Sequence, residues 1–338
     1  MLHLILPRES YPDMITILPS RQNAGRHGVR PINLRQDTRQ ILQLLDLTFS
    51  AELDTENRRA LQRSLTMVSQ PWYQPLVPAP GTAMPGFVWE EAGQVVGNVS
   101  MMETRQPGRF IIANVAVHPD WRRRGIAAEM MQAALDYLRN RRAHVVVLQV
   151  KQHNAPARNL YLRLGFAEIG AITGWMAASS HIRPLPLYSG GPTIRALRRR
   201  EWRAAYTLDA ASMPADLHWP DPLAADAYKT GFWPSLRGFF NGRQGEYWVT
   251  SNSEDRLTGL ASIISEWQRP HLLTIRVHPD SRGQLERHLL AKLLRRLDYL
   301  PQRRVRLDHP AEDALMNQML QEAHFQPQRT LIVMRLDL

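Results

Sequence analysis

The chain has 338 residues, 44% hydrophobic and 22% charged, which is the balance of an ordinary globular protein with room for two domains. It contains no cysteine, which excludes disulfides and cysteine-ligated zinc. Its 42 basic and 31 acidic side chains give a net charge of +11, but residues 29–178 hold 17 basic and 12 acidic groups and residues 193–338 hold 21 and 17, so the excess is spread and lacks the clustered footprint of a nucleic-acid binder.

Residues 1–28 read as an N-terminal extension, with strand-like runs at Leu2–Leu6 and Met14–Leu18 punctuated by Pro7, Pro12 and Pro19. The first apolar run is too short for a signal-peptide core or a membrane span, so a cytoplasmic protein with no membrane partner is expected. Val29–Arg35 predicts a first strand, Asp37 an N-cap, and Ile41, Leu44, Leu45 and Phe49 a helix. A second helix is expected over Thr55–Val68, then a proline-rich aromatic loop holding Trp72 and Tyr73. Gly86–Glu103 reads as a hairpin turning near Glu91-Ala92-Gly93, and Phe110–Val117 as a strand covered on both faces.

The stretch Val115–Ala127 follows, with three arginines and a glycine between that strand and a helix whose Ile126, Met130, Ala134 and Leu138 fall four apart. A strand, a basic glycine-bearing turn and a helix start form an anion site, because free amides and the helix dipole both favour negative charge there. Val145–Val150 is the next strand, Asn154–Leu164 a helix closed by Gly165, Ala167–Ala177 a strand and residues 179–192 a linker.

The second half repeats the first. Val-His-Pro-Asp stands at 117–120 and again at 277–280, and Asp-Tyr-Leu closes the following helix at 136–138 and 298–300. Like elements lie between them: a strand at Thr193–Leu197, a helix at Glu201–Leu208, a hairpin over Tyr247–Glu266, strands at Leu272–Val277 and Val305–Leu307, a helix at Asp313–Ala323 and a last strand at Arg329–Leu336. Two copies are therefore expected, at 29–178 and 193–338.

Three signatures of the first copy carry a resemblance. They are Asn114-Val115-Ala116-Val117-His118-Pro119, then Arg122-Arg123-Arg124-Gly125-Ile126-Ala127, then Asn154 with Leu160-Tyr161 and Gly165-Phe166. With them, residues 29–178 resemble the GNAT superfamily of acetyl-CoA-dependent N-acyltransferases, whose loop reads Arg/Gln-x-x-Gly-x-Gly/Ala. The resemblance implies an α/β fold of two tandem GNAT-type domains, each a central, mostly antiparallel sheet with splayed parallel strands, flanked by helices. It implies acetyl-CoA as co-substrate and direct transfer of the acetyl group to a primary amine of a small molecule or of a protein or peptide; no metal is expected, since the sequence has no His-x-x-x-His or comparable ligand cluster. On that resemblance Arg122, Arg123, Arg124, Gly125, Ile126 and Ala127 wrap the coenzyme A pyrophosphate. Val115, Ala116 and Val117 pair with the pantetheine arm, Asn154 contacts the same arm, an amide near Val115 polarises the thioester, and Tyr161 protonates the leaving thiolate.

Each of these residues has a plainer reading. The arginines can be a solvated helix entrance, Asn154 an N-cap and Tyr161 a packing side chain. His118 and His278 read as turn residues. Gln149 stands where some family members carry a glutamate base, so the base lies elsewhere, with Glu103 a candidate, or acts through water, or is unnecessary for an amine already neutral. The second copy departs further: its turn is Asp280-Ser281-Arg282-Gly283-Gln284-Leu285, and counting back from Phe325 puts Leu320 at the position of Tyr161 and Asp313 at that of Asn154. The chemistry is therefore expected in the first copy. The alternative is a non-catalytic acyl-CoA sensor or interaction scaffold. The aromatic segments at 71–75 and 218–240 are candidate linings of an acceptor pocket or covers of a core.

Overall fold

A computed structural model describes residues 27–49, 86–186, 190–229 and 243–338. The expected strands at 2–6 and 14–18, the helix at 55–68, and Trp72, Tyr73, Phe232, Trp233, Phe239 and Phe240 lie outside the described residues. The chain forms two compact units, one running to Leu148 and taking in Leu336–Leu338, the other Gln149–Arg335.

In the first unit β1 (His27–Pro31), β2 (Gly86–Glu91), β3 (Gln94–Glu103) and β4 (Arg109–Val117) pair antiparallel in that order, and β5 (Val145–Lys151) starts parallel to β4. The strand at 29–35 ends early. The Ile32 amide still donates to the Gly86 carbonyl at 3.0 Å, and α1 (Leu34–Phe49) then begins with Asn33 accepting from the Arg35 amide at 3.1 Å. Asp37 is not the cap. It is buried in the first turn, where Arg30 donates to both its carboxylate oxygens at 2.6 and 2.8 Å and also bonds Glu90. Removing Arg30 leaves a buried carboxylate without its counter-charge, so Arg30→Ala is expected to cost about 3 kcal/mol, read as a lowered urea midpoint. Ile41 and Leu44 of α1 pack against Val88, Val95 and Ala116. On the other side of the hairpin α2 (Ile126–Asn140) lies over β3, where Gly97 admits Met130: a Cβ there would come within 2.8 Å of the methionine's end.

In the second unit α3 (Ala155–Arg163), β6 (Ala167–Ala178), β7 (Arg195–Ala196), α4 (Trp202–Ser212), β8 (Arg243–Ser251), β9 (Leu257–Glu266), β10 (His271–Val277), α5 (Glu286–Leu297), β11 (Arg304–Pro310), α6 (Ala314–Glu322) and β12 (Gln326–Asp337) follow in chain order. The strands lie in the order β12-β6-β11-β10-β9-β8-β7. β6, the last strand of the first sequence copy, is thus lodged between β11 and β12 of the second. It pairs antiparallel with both, from Arg304↔Ala178 to Pro310↔Ile172 and from Gln326↔Met176 to Arg335↔Ala167. Trp175 and Ala177 of β6 enter a core with Leu273, Ile275, Leu289, Leu293 and Phe325. Leu336–Leu338 instead belong to the first unit, where the Leu338 amide donates to the His144 carbonyl at 3.0 Å. Among the described residues no helix is long and apolar enough to cross a membrane.

Candidate functional site

β3 and β4 are out of step by one residue. Gly97 faces Val117 and Asn98 faces Ala116, but Ser100 faces Ala113, so Asn114 and Val115 together oppose Val99. Asn114 takes φ +54°, the left-handed region that asparagine tolerates better than most residues. This is a β-bulge, which frees one residue from the ladder and re-aims it. The fully buried Asn98 donates through Nδ2 to the Asn114 carbonyl at 2.8 Å and to Ser100 Oγ at 3.2 Å, while its Oδ1 has no partner among the described residues. Pairing of β4 with β5 runs only from Arg109↔Val145 to Ile111↔Val147, which leaves residues 112–117 outside that parallel register. The splay that the resemblance implies is present, and Val115 and Val117 lie along it.

After Val117 the chain turns through His118, whose Nδ1 accepts from the Asp120 amide at 3.4 Å. His278 repeats this with Asp280 at 3.3 Å, so both histidines are turn residues. Arg123 then takes φ +61° and Gly125 φ +84°, and Ile126 opens α2. Two left-handed residues bracketing Arg124 fold the backbone into a concave nest, a shape that gathers amides around an anion. Among the described residues the amides of Arg123, Arg124 and Gly125 find no protein acceptor. Arg122, Arg123 and Arg124 are exposed and, among the described residues, in no ion pair. Arg122 Nε donates to the Val117 carbonyl (3.2 Å), Arg124 donates to that of Asp120 (3.2 Å), and Arg124 lies 4.6 Å over the Trp121 ring. Unfilled donors, a helix N-terminus and spare positive charge fit a pyrophosphate, so the residues present suit coenzyme A.

The second copy aligns with the first element by element. Gly259 faces Val277 as Gly97 faces Val117, and the His278 amide donates to Thr258 as the His118 amide does to Val96, each at 2.8 Å. Asp313 caps α6 as Asn154 caps α3, and left-handed His324 precedes Phe325 as Gly165 precedes Phe166. Against that alignment three differences stand out. β9 and β10 pair without a bulge, and Leu260 occupies the place of Asn98. Leu320, fully buried, occupies the place of Tyr161. Where the first copy has Ile126, the second has Glu286, 4% exposed, whose carboxylate accepts from the Gly283 amide at 3.0 Å and the Leu285 amide at 3.2 Å. The second loop is filled by its own side chain. Asp313 is held below the usual carboxylate range: burial works against this, but bonds from His309 and the Met316 amide outweigh it.

Asn154 and Tyr161 sit in the second unit, on α3. Asn154 is exposed and accepts from the Ala157 amide at 3.3 Å, so it is an N-cap whose amide N–H groups find no acceptor among the described residues. Tyr161 is 6% exposed and packs at 6.1 Å from the Phe166 ring. Its hydroxyl makes no hydrogen bond among the described residues, and burial pushes its pKa up to about 12. Glu103 is exposed and faces Phe110, four positions along β3 from the bulge, or roughly 13 Å at strand spacing. The structure does not bring it to the bulge. Trp219 is described and partly exposed. Sequence reasoning passed over Asn98 and Glu286. The available signals were a lone amide in an otherwise apolar strand, and an acid at the repeat position of an isoleucine.

Residues 40–166 match the model of the acetyltransferase (GNAT) family. Peptidyl-lysine N-acetyltransferase YiaC of Escherichia coli is 44% identical over 80 residues, covering 24% of this chain and 48% of that protein. N-alpha-acetyltransferase 30 of Schizosaccharomyces pombe is 41% identical over 58 residues, 17% of this chain and 39% of its own length. The chain thus spans less than half of each of these curated relatives. A GCN5-related N-acetyltransferase structure from Sphaerobacter thermophilus aligns with a TM-score of 0.61 at 15% identity, covering 91% of this chain and 95% of that one. A tandem GNAT protein from the clavulanic acid biosynthesis pathway aligns at 0.50 and 18% identity, over 92% and 98%. At such identities these structures share the fold, which is the mixed α/β arrangement expected from the sequence.

Proposed function

We propose that the protein transfers an acetyl group from acetyl-CoA to an amine, with the donor held by the first of two GNAT-like copies at 29–178 and 193–338. The observation that carries this reading is the contrast between the loops. Among the described residues Arg123–Gly125 offers amides without acceptors and arginines without carboxylate partners, whereas the second loop spends its amides on Glu286. The co-substrate supplies an acyl thioester, whose carbonyl carbon is open to attack by nitrogen. The role of Arg122–Ala127 is to fix the pyrophosphate, and that of Val115–Val117 to hold the arm along the splay. Asn154 retains amide donors for the same arm. At the bulge, the Val115 amide is the donor to the carbonyl oxygen as it gains charge. As the carbon–nitrogen bond forms and the carbon–sulfur bond breaks, Tyr161 donates its hydroxyl proton toward sulfur. Transfer from a phenol near 12 to a thiolate whose thiol titrates near 8.5 is uphill by about 5 kcal/mol, so the step must be coupled to loss of a proton from the acceptor nitrogen, which passes through water and restores the phenol. With Gln149 and the remote Glu103, no carboxylate base is required for an amine that arrives neutral.

The relatives' names point to lysine side chains and protein N-termini as acceptors, and small amines belong in the same screen. Coenzyme A release from acetyl-CoA in the presence of a peptide and small-amine panel tests the reading. Tight binding of acetyl-CoA with no turnover on any amine would instead favour a sensor. Tyr161→Phe is expected to lower kcat about hundredfold while shifting donor affinity less than about threefold. Because the phenol titrates near 12, the wild-type rate should show no alkaline limb from this group between about pH 8.5 and 10.5. A fall centred near pH 9 would remove Tyr161 from the acid role.

A further inference from the structure

We infer that Asn98 is a positioning residue, which pins the β4 bulge from the neighbouring strand and so sets the aim of the Val115 amide. The inference rests on the acetyl-transfer reading and adds to it a residue that none of the three sequence signatures contains.

A bulge is not free. It removes the ladder partner of at least one backbone group, and a carbonyl so freed has to find another donor. Asn98 Nδ2 supplies that donor to Asn114 at 2.8 Å. The opposite amide orientation would set Oδ1 against the carbonyl, so the Asn114 oxygen fixes which way the side chain points. Its second contact, to Ser100 Oγ at 3.2 Å, reaches the first residue beyond the bulge on the same strand. One side chain thus bridges both flanks of the register shift.

The cost of this arrangement is visible. Asn98 is fully buried, and its Oδ1 has no partner among the described residues. A stabilising choice at this position would be an aliphatic side chain, and the second copy has one. Leu260 stands at the same step of β9, after Gly259 and opposite β10, fully buried. There β9 and β10 run in unbroken register from Leu272↔Ile264 to Val277↔Gly259, with no left-handed residue along β10. Asparagine accompanies the bulge and leucine accompanies its absence, in two strand pairs whose glycine, valine and histidine anchors coincide. The copy that keeps the phosphate nest also keeps the buried amide.

The test uses the full chain with Asn98→Ala, which deletes the amide without adding bulk, and Asn98→Leu, which installs the second copy's residue. Backbone amide exchange at Asn114 and Val115 is read first, since it does not depend on activity. At least tenfold faster exchange there, with β2 and α2 unchanged, is expected for a bulge that has lost its pin. Unchanged exchange in the folded variants overturns the inference. In the acetyl-CoA assay, kcat should fall roughly ten- to hundredfold as the carbonyl donor loses its aim, while Kd for coenzyme A by calorimetry stays within about threefold. Equal loss of coenzyme A affinity and kcat would mark a merely structural role and also overturns it. A wild-type protein that turns over no amine defeats the acetyl-transfer reading, and the exchange result still decides the role of Asn98 in holding the bulge.

Discussion

Residues 193–338 expressed alone are expected not to fold. They comprise the whole second copy as its repeat is written in the sequence, yet the sheet of the second unit needs β6, which lies between β11 and β12 and bonds to both. Without it, β11 and β12 each present an unpaired edge, and Leu273, Ile275, Leu289 and Phe325 lose Trp175 and Ala177 from their core. Open apolar edges of this kind pair with one another in other molecules. The expected result is insoluble protein, or soluble protein without a cooperative melting transition by circular dichroism. Co-expression with residues 1–192 should restore a soluble two-chain complex. A fragment that melts cooperatively alone would show that β11 and β12 close on each other directly.

Placing the second copy's acid in the first copy's loop, Ile126→Glu, is expected to abolish donor binding while the protein stays folded. Ile126 and Glu286 occupy the same first position of their helices, and both are buried. In the second copy the carboxylate reaches back to two loop amides. The same reach in the first copy would consume the donors of the nest and add a negative charge where pyrophosphate binds. Losing two charge-assisted hydrogen bonds, each worth about 1.5–3 kcal/mol, corresponds to at least about a hundredfold in affinity. Titration calorimetry with coenzyme A measures this directly. An unchanged Kd would mean that the loop is not the pyrophosphate seat. Ile126→Leu, apolar and similar in volume, is the control that should bind normally.

Local chemistry was legible in the sequence, whereas pairing at a distance was not. The hairpin, β4, the nest and α2 follow from alternation, a glycine and helical spacing, which are all short-range signals. Asn33 displaced Asp37 as the helix start because Arg30 drew the aspartate inward, a contact between a strand and a helix that propensity does not carry. The bulge is invisible in an apolar run: Asn114 looks like one polar residue among valines and isoleucines, and only the register with β3 shows that two residues face one. The place of β6 is likewise a matter of sheet order. Repeat detection assigns it to the first copy, but hydrogen bonding puts it beside β11 and β12. Glu286 reads as an ordinary first-turn acid favoured by the helix dipole, and its role emerges only when its oxygens are found on the amides of its own loop.

The filled second loop has a thermodynamic consequence. Anything that binds the folded state alone adds RT ln(1 + [L]/Kd) to its stability, about 2.7 kcal/mol at a hundred times Kd. A seat already taken by Glu286 gains nothing from that relation, and its backbone donors are satisfied whatever the metabolite level. The second copy's integrity is therefore set by the polypeptide, while an open nest such as Arg123–Gly125, if it holds acyl-CoA as proposed, would make its surroundings responsive to the ligand's concentration.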